Sequence, residues 1–203
     1  GFLPKTDETR IQSAPNVLIR WKGVLFDVTE KLDGQSMTVF VNNNEVGVCG
    51  RTMEFKPSTD SAMWRCVCRD ALDIKLATLN RNIALQGEFV GPKVQGNKYN
   101  LKDHEFRVFN FFNIDTHEYR PLRVEETLLQ QLGVKQVPYL SSLTLGDQTI
   151  DDIVKLSVVK STLNPQQWAE GIVLRPALVE FRDDELGRLS FKCINPEFSL
   201  EEK

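Results

Sequence analysis

The sequence predicts an α+β fold of largely antiparallel sheets flanked by helices, and three observations predict it. Apolar and polar residues alternate over several short stretches. Those stretches lie close together in the chain with turn residues between them, as hairpins do. The few segments with helical spacing interrupt them irregularly rather than following every strand. With 41% apolar and 26% charged residues among 203, the chain can fill a sizeable core, and charges of both signs are interspersed, unlike a disordered segment.

The segment 24–41, VLFDVTEKLDGQSMTVFV, alternates and is broken at Asp33-Gly34, which predicts two strands around a tight turn. A second turn follows at 42–45 and a short strand at 46–49. Over 58–76, Trp64, Val67, Cys68, Ala71 and Leu72 recur at helical spacing behind Ser58 and Thr59 as caps. That predicts one amphipathic helix with Cys68 in the core and Cys66 beside it. Strands are expected at 83–90 and 106–114, joined by a polar loop. Val124, Leu128, Gln131 and Leu132 mark a helix with Glu125 and Glu126 in its first turn and its end at Gly133. A short helix at 151–159 and strands at 171–175 and 189–194 complete the reading.

A net charge of −3 and a pI near 5.5 carry no basic excess, so contact with nucleic acid must come from a local patch. No apolar run approaches the length of a membrane span, and the opening GFLPKTDETR has no signal-peptide core, which predicts no membrane partner. Gly1 in place of a starting Met predicts a processed or excised chain. Cys49, Cys66, Cys68 and Cys193 lack paired spacings, which predicts a reducing intracellular compartment, cytoplasm or nucleus. Cys66-Val-Cys68 would be half a zinc site, but His104 and His117 stand at unhelpful spacing. No G-x-S-x-G occurs for a serine hydrolase. The segment 91–98 looks like a phosphate-binding loop and fails as one, because Asn97 separates Gly96 from Lys98 and Tyr99 stands where Ser or Thr is needed.

Four segments put a charged residue beside Gly or inside a strand, where packing alone would not ask for one. They are Glu30-Lys31-Leu32-Asp33-Gly34, Gly87-Glu88-Phe89, Glu170-Gly171-Ile172-Val173-Leu174-Arg175-Pro176 and Phe191-Lys192-Cys193-Ile194-Asn195. Each alone could be a solvated surface charge. Their order and spacing are more specific: 57 residues from Lys31 to Glu88, 82 on to Glu170 and 22 on to Lys192. This order resembles motifs I, III, IV and V of the covalent nucleotidyltransferases, and Phe106-Arg-Val-Phe109-Asn110-Phe111 resembles their motif IIIa. GEFVGP, EGIVLRP and FKCINPEFS together most resemble the ATP-dependent RNA ligases. LPKTDETRIQ looks like the entry to the adenylylation domain in the Deinococcus/Naegleria-type branch, where an OB module precedes it. The resemblance runs over 5–200. It departs from the K-x-K of another branch at Ile194, where Lys192 stands as the motif V lysine and Lys160, Arg175 or Arg188 are candidates for the second phosphate contact.

The resemblance implies a nucleotidyltransferase (ATP-grasp-like ligase) domain over 1–203, with an OB module upstream. It implies that Lys31 attacks the α-phosphate of ATP to give lysyl-AMP and pyrophosphate. AMP then passes to an RNA 5′-phosphate and a 3′-OH end displaces it, in RNA repair. Glu30, Lys31, Leu32, Glu88, Glu170 and Lys192 would bind the nucleotide, with Phe109, Arg10 and Arg51 as further candidates. Asp33, Glu88 and Glu170 would hold Mg2+ (or Mn2+).

The residue types suit that chemistry. Attack needs a neutral amine, yet a free lysine is protonated at neutral pH, and three carboxylates around it favour the charged form. They are therefore better read as holding a divalent cation, which inverts the local field, than as bases. Lys192 would stabilise charge at the α-phosphate. Phe109 offers a ring to adenine or is ordinary core. Arg10 and Arg51 are guanidinium forks for phosphate or surface salt bridges. Lys93, Lys98, Lys102 and Arg107 either track a nucleic-acid backbone or line a solvated loop. The expected partners are RNA ends in a nicked duplex, a single strand or an RNA–DNA hybrid, bound by a monomer. Two rivals remain: an mRNA-capping guanylyltransferase using GTP, and a non-catalytic nucleotide- or RNA-binding module.

Overall fold

Leu25–Lys31 and Gln35–Asn42 are both strands, as the alternation predicts, but they do not pair with each other. Asp33-Gly34 is therefore no hairpin turn. The chain leaves one sheet at Lys31 and enters another at Gln35. The computed structural model describes residues 2–203 and falls into two compact units. One runs up to Thr6 and takes in Asp33–Val137; the other comprises Asp7–Leu32 and Pro138–Lys203. No helix among the described residues is long and apolar enough to cross a membrane.

The second of these units is built on a five-stranded sheet in the order Thr9–Arg10, Phe191–Ile194, Gly171–Pro176, Leu25–Lys31, Tyr139–Thr144. All its pairings are antiparallel except the first, which is parallel. Alternation sends Phe26, Val28, Ile172, Leu174, Phe191 and Cys193 to one face, where they pack with Ile11, Val17, Leu18 and Ile153. Ile153 belongs to the helix Ile150–Ser157, which starts in a capping box between Thr149 and Asp152. The opposite face carries Asp27, Thr29, Lys31, Arg175 and Lys192 of the same strands. At one corner Asp183 accepts from Arg20 Nε at 3.0 Å, Arg20 Nη2 at 2.9 Å and Trp21 Nε1 at 2.7 Å.

The other unit has a sheet in the order Glu54–Phe55, Glu45–Cys49, Gln35–Asn42, Ile83–Val90, Glu105–Asn113, Glu118–Arg120, with Lys135–Gln136 alongside Glu105–Asn113. The turn joining its first long hairpin uses Asn43 and Asn44 at positive φ, as a two-residue hairpin loop requires. Helices Ala62–Arg69, Leu72–Ala77 and Glu126–Leu132 supply Met63, Val67, Leu72, Leu76 and Leu129 to its core. The single helix expected over 58–76 is thus two, broken at Ala71, whose φ of +55° is left-handed. Ser61, rather than Ser58 or Thr59, is the N-cap. That phase reverses the cysteines: Cys66 is buried and Cys68 exposed.

Two motif glycines sit where strands approach too closely for a side chain. A Cβ on Gly171 would lie 2.2 Å from the Cys193 carbonyl oxygen, and one on Gly87 would lie 2.2 Å from that of Arg107. Gly171→Ala is expected to destabilise the chain by about 1–3 kcal/mol, as overpacking does, measured by urea unfolding; an unchanged midpoint would contradict the close approach. A second expectation concerns acid. The Arg20 guanidinium holds the Asp183 carboxyl below the usual carboxylate range, against the effect of burial. An unfolded aspartate titrates at about 3.9, so the contribution is complete above that pH and is lost as pH falls below it. The stability gap between the native chain and Asp183→Asn should therefore narrow from pH 7 to pH 3, read from denaturant midpoints.

Candidate active site

Lys31 stands on the face of the five-stranded sheet away from its core. In the ladder it faces Gly171, and the adjoining Glu170 brings Oε1 to 3.0 Å from Lys31 Nζ. The side chains are 25% and 18% exposed, so this is not a freely solvated surface pair. Register places Arg10 beside Lys192, Lys192 beside Val173, Val173 beside Thr29 and Thr29 beside Tyr139. Directly opposed residues point the same way, so this row crosses all five strands on the Lys31 face. Lys192 Nζ is 3.9 Å from Asp7 Oδ1. Ile194 faces Gly171 and so lies in the row of Lys31 itself. The cations proposed to replace a second lysine there all have partners: Lys160 lies over the Trp168 ring at 3.7 Å, Arg175 pairs with Glu8 at 3.2 Å and Arg188 with Glu180 at 2.8 Å. Arg10 is the exposed cation in register with Lys192.

Glu30 corrects an expectation. One position from Lys31 in a strand means the other face, and its side chain is 1% exposed, accepting from Ser161 Oγ and Thr162 N at 2.7 Å each. Its carboxylate is thus turned away from the Lys31 face. It fixes the loop that leads to Glu170, where Lys160 and Trp168 form a β-bridge and Asn195 Nδ2 donates to the Ala169 carbonyl at 3.0 Å. Leu32 is buried as well, at 3%.

In the other unit, Glu88 Oε1 accepts from the Gly34 N–H at 3.0 Å. The Asp33 carboxylate pairs with Lys98, and the Asp33 N–H donates to Tyr99 Oη at 2.6 Å. Asp33 is thus engaged by a cation rather than presented as a bare metal ligand. A bulge opposite Gln86 and Gly87 leaves Phe109 out of the ladder between Val108 and Asn110. Phe109 is half-buried, whereas Val108 and Phe111 belong to the core. Arg51 is exposed beyond the Glu45–Cys49 strand. Within the basic stretch, Lys98 goes to Asp33, and Arg107 to Glu105 and the Gln136 carbonyl, both at 3.0 Å, while Lys93 and Lys102 are exposed.

Among the described residues no three His, Cys, Asp or Glu side chains gather as ligands for a cation. Glu88 in one unit and Glu170 in the other are each a hard oxygen donor, the type that suits Mg2+ or Mn2+. Burial pushes the Cys66 and Cys193 thiols up, so neither is an activated nucleophile. Sequence reasoning missed Lys98 and Tyr99 at Asp33, and Ser161 at Glu30. Partners 65, 66 and 131 residues apart leave no local signal.

Comparison with known proteins identifies the family and the fold. The RNA ligase family model matches residues 25–194. Naegleria gruberi RNA ligase with pyrophosphate aligns at a TM-score of 0.88 and 35% identity, over 98% of this chain and 58% of that one. A lysine-to-alanine variant of that enzyme with ATP and Mn, and a glutamate-to-alanine variant with AMP and Mn, each align at 0.88 and 35% over 100% of this chain and 58% of theirs. The chain therefore spans 58% of the length of these solved relatives. Other solved forms of the same enzyme alter an aspartate two residues after that lysine and a glutamate 57 residues after it. No curated sequence matches. The family match takes in the strands that carry Lys31, Glu88, Phe109 and Lys192 together with Glu170 just ahead of its own strand, and on that footing the chain belongs to the RNA ligase family.

Proposed function

We propose that this chain carries out the nucleotidyl transfer of an ATP-dependent RNA ligase, with Lys31 as the residue that becomes adenylylated. The observation that carries the reading is the Lys31–Glu170 pair at 3.0 Å on a sheet face that also holds Lys192 and Arg10. The positions altered in the Naegleria enzyme support it, because Lys31, Asp33 and Glu88 share their spacing of two and 57 residues.

Lys31 Nζ, having lost a proton to solvent, attacks the α-phosphorus of ATP. A nitrogen–phosphorus bond forms, the α–β bridging bond breaks, and pyrophosphate leaves. Glu170 orients the amine. Lys192 and Arg10, along the same face, offset the charge that develops on the phosphates. A 5′-phosphate oxygen of RNA then attacks the adenylyl phosphorus and frees Lys31, and a 3′-OH displaces AMP to close the phosphodiester. Glu170, on the Lys31 face, would hold a divalent cation through its waters, supplying charge neutralisation at the phosphates and a field that favours the neutral amine. Phe109 is the ring assigned to adenine, and Asp33 positions Lys98. We assign RNA ends as substrate, a nicked duplex or RNA–DNA hybrid among them, to a monomer. The four free cysteines support a reducing compartment.

Incubation with α-labelled ATP and Mg2+ should leave label on the denatured chain. Lys31→Ala should abolish it, and α-labelled GTP should give none; label from GTP alone would favour a capping enzyme. Glu170→Ala is expected to slow labelling on the order of 10²–10³-fold, as loss of a transition-state contact does, with the melting temperature retained. Normal labelling in that variant would remove Glu170 from the chemistry.

A further inference from the structure

The row that crosses the Lys31 face ends in an aromatic ring that none of the steps above uses. Tyr139 opens the edge strand Tyr139–Thr144, and the residue is 58% exposed. It faces Thr29 in register, two residues along the strand from Lys31, a diagonal separation of about 7–8 Å. The ring is held in place: Tyr139 Oη and Ser142 Oγ are 2.6 Å apart, and Ser142 Oγ donates to Asp27 Oδ1 at 3.2 Å. A register shift between Tyr139 and Ser141 puts Tyr139 and Ser142 on one face, while Leu140 and Leu143 turn to the core.

We infer that this edge is an RNA-strand subsite, in which Tyr139 stacks a base of the reacting end and Asp27 accepts a hydrogen bond from a ribose hydroxyl. The inference rests on the ligase reading for the identity of the polynucleotide. Three features carry it. A large exposed ring anchored through its hydroxyl offers a rigid π-face with little ordering cost, which suits base stacking. The carboxylate of Asp27 repels phosphate but accepts from a 2′-OH, the group that distinguishes RNA from DNA. The exposed hydroxyl residues Ser142 and Thr144, opposite Asp27 and Leu25, continue away from Lys31 along a strand about 20 Å long. Stacked nucleotides repeat at about 3.4 Å, so the track exceeds a mononucleotide and fits a strand. Cations lie across the sheet at Lys192 and Arg10, and this edge takes bases and sugars instead.

The test is the affinity of the chain for a 5′-phosphorylated RNA oligonucleotide, by fluorescence anisotropy, for the native chain, Tyr139→Ala, Tyr139→Phe and Asp27→Ala. Tyr139→Ala should weaken binding about tenfold, the scale of one lost stacking contact, and Tyr139→Phe should retain most of the affinity. Asp27→Ala should bring RNA and DNA of one sequence to similar affinities. The KM for ATP in lysyl-AMP formation is measured in parallel. No measurable RNA binding by the native chain, equal affinity in Tyr139→Ala, or a raised KM for ATP with RNA affinity intact would each overturn the subsite, the last by giving the ring to adenine. Failure of the native chain to form lysyl-AMP would instead count against the ligase reading and leave the affinity comparison standing.

Discussion

The absence of a side chain at Gly171 is the constraint on which the Lys31 arrangement depends. Opposite Gly171 in one ladder is Lys31, and in the other Ile194. With the Cys193 carbonyl where a Cβ would have to go, any other residue forces the central strands apart. The residue before Gly171 sits at the mouth of that ladder, so its carboxylate reaches across to the lysine. Its backbone is anchored on both sides, by the Asn195 N–H donating to the Glu170 carbonyl at 2.9 Å and by the loop that Glu30 grips. Residues flanking Lys31 and the strand of Lys192 thus fix the carboxylate.

How much of this was legible in the sequence follows from the range of each interaction. Alternation within a strand is local, so Leu25–Lys31, Gln35–Asn42, Ile83–Val90 and Gly171–Pro176 could be read directly. The same alternation, applied strictly, would have put Glu30 opposite Lys31. Asp33-Gly34 has hairpin chemistry, but a turn signal does not say which sheet the next strand joins, and here the chain changes sheets. Periodicity across 58–76 passed over Ala71, because an alanine in a left-handed conformation has no sequence signature. The strand Tyr139–Thr144, read as YLSSLT, has a bulge that scrambles its period. The motif residues were found through order and spacing along the chain, whereas their partners, such as Lys98 at Asp33, depend on tertiary packing.

Net charge gave the least useful signal, and the reason is screening. At physiological ionic strength charges more than about 8 Å apart scarcely interact across solvent, so a total of −3 says little about one sheet face. Several acids of this unit are already paired or turned away from that face. Glu8 pairs with Arg175 and accepts from Ser190, and Glu180 pairs with Arg188. Glu30 is turned to the core, and Glu170 is held by Lys31. Pairing removes these charges two at a time. What stays exposed toward a phosphate is Arg10, with Lys192 beside it at the looser distance of 3.9 Å from Asp7. Any phosphate approaching this face would meet that pair rather than the average of the chain, which is how an acidic protein can present a local cationic site.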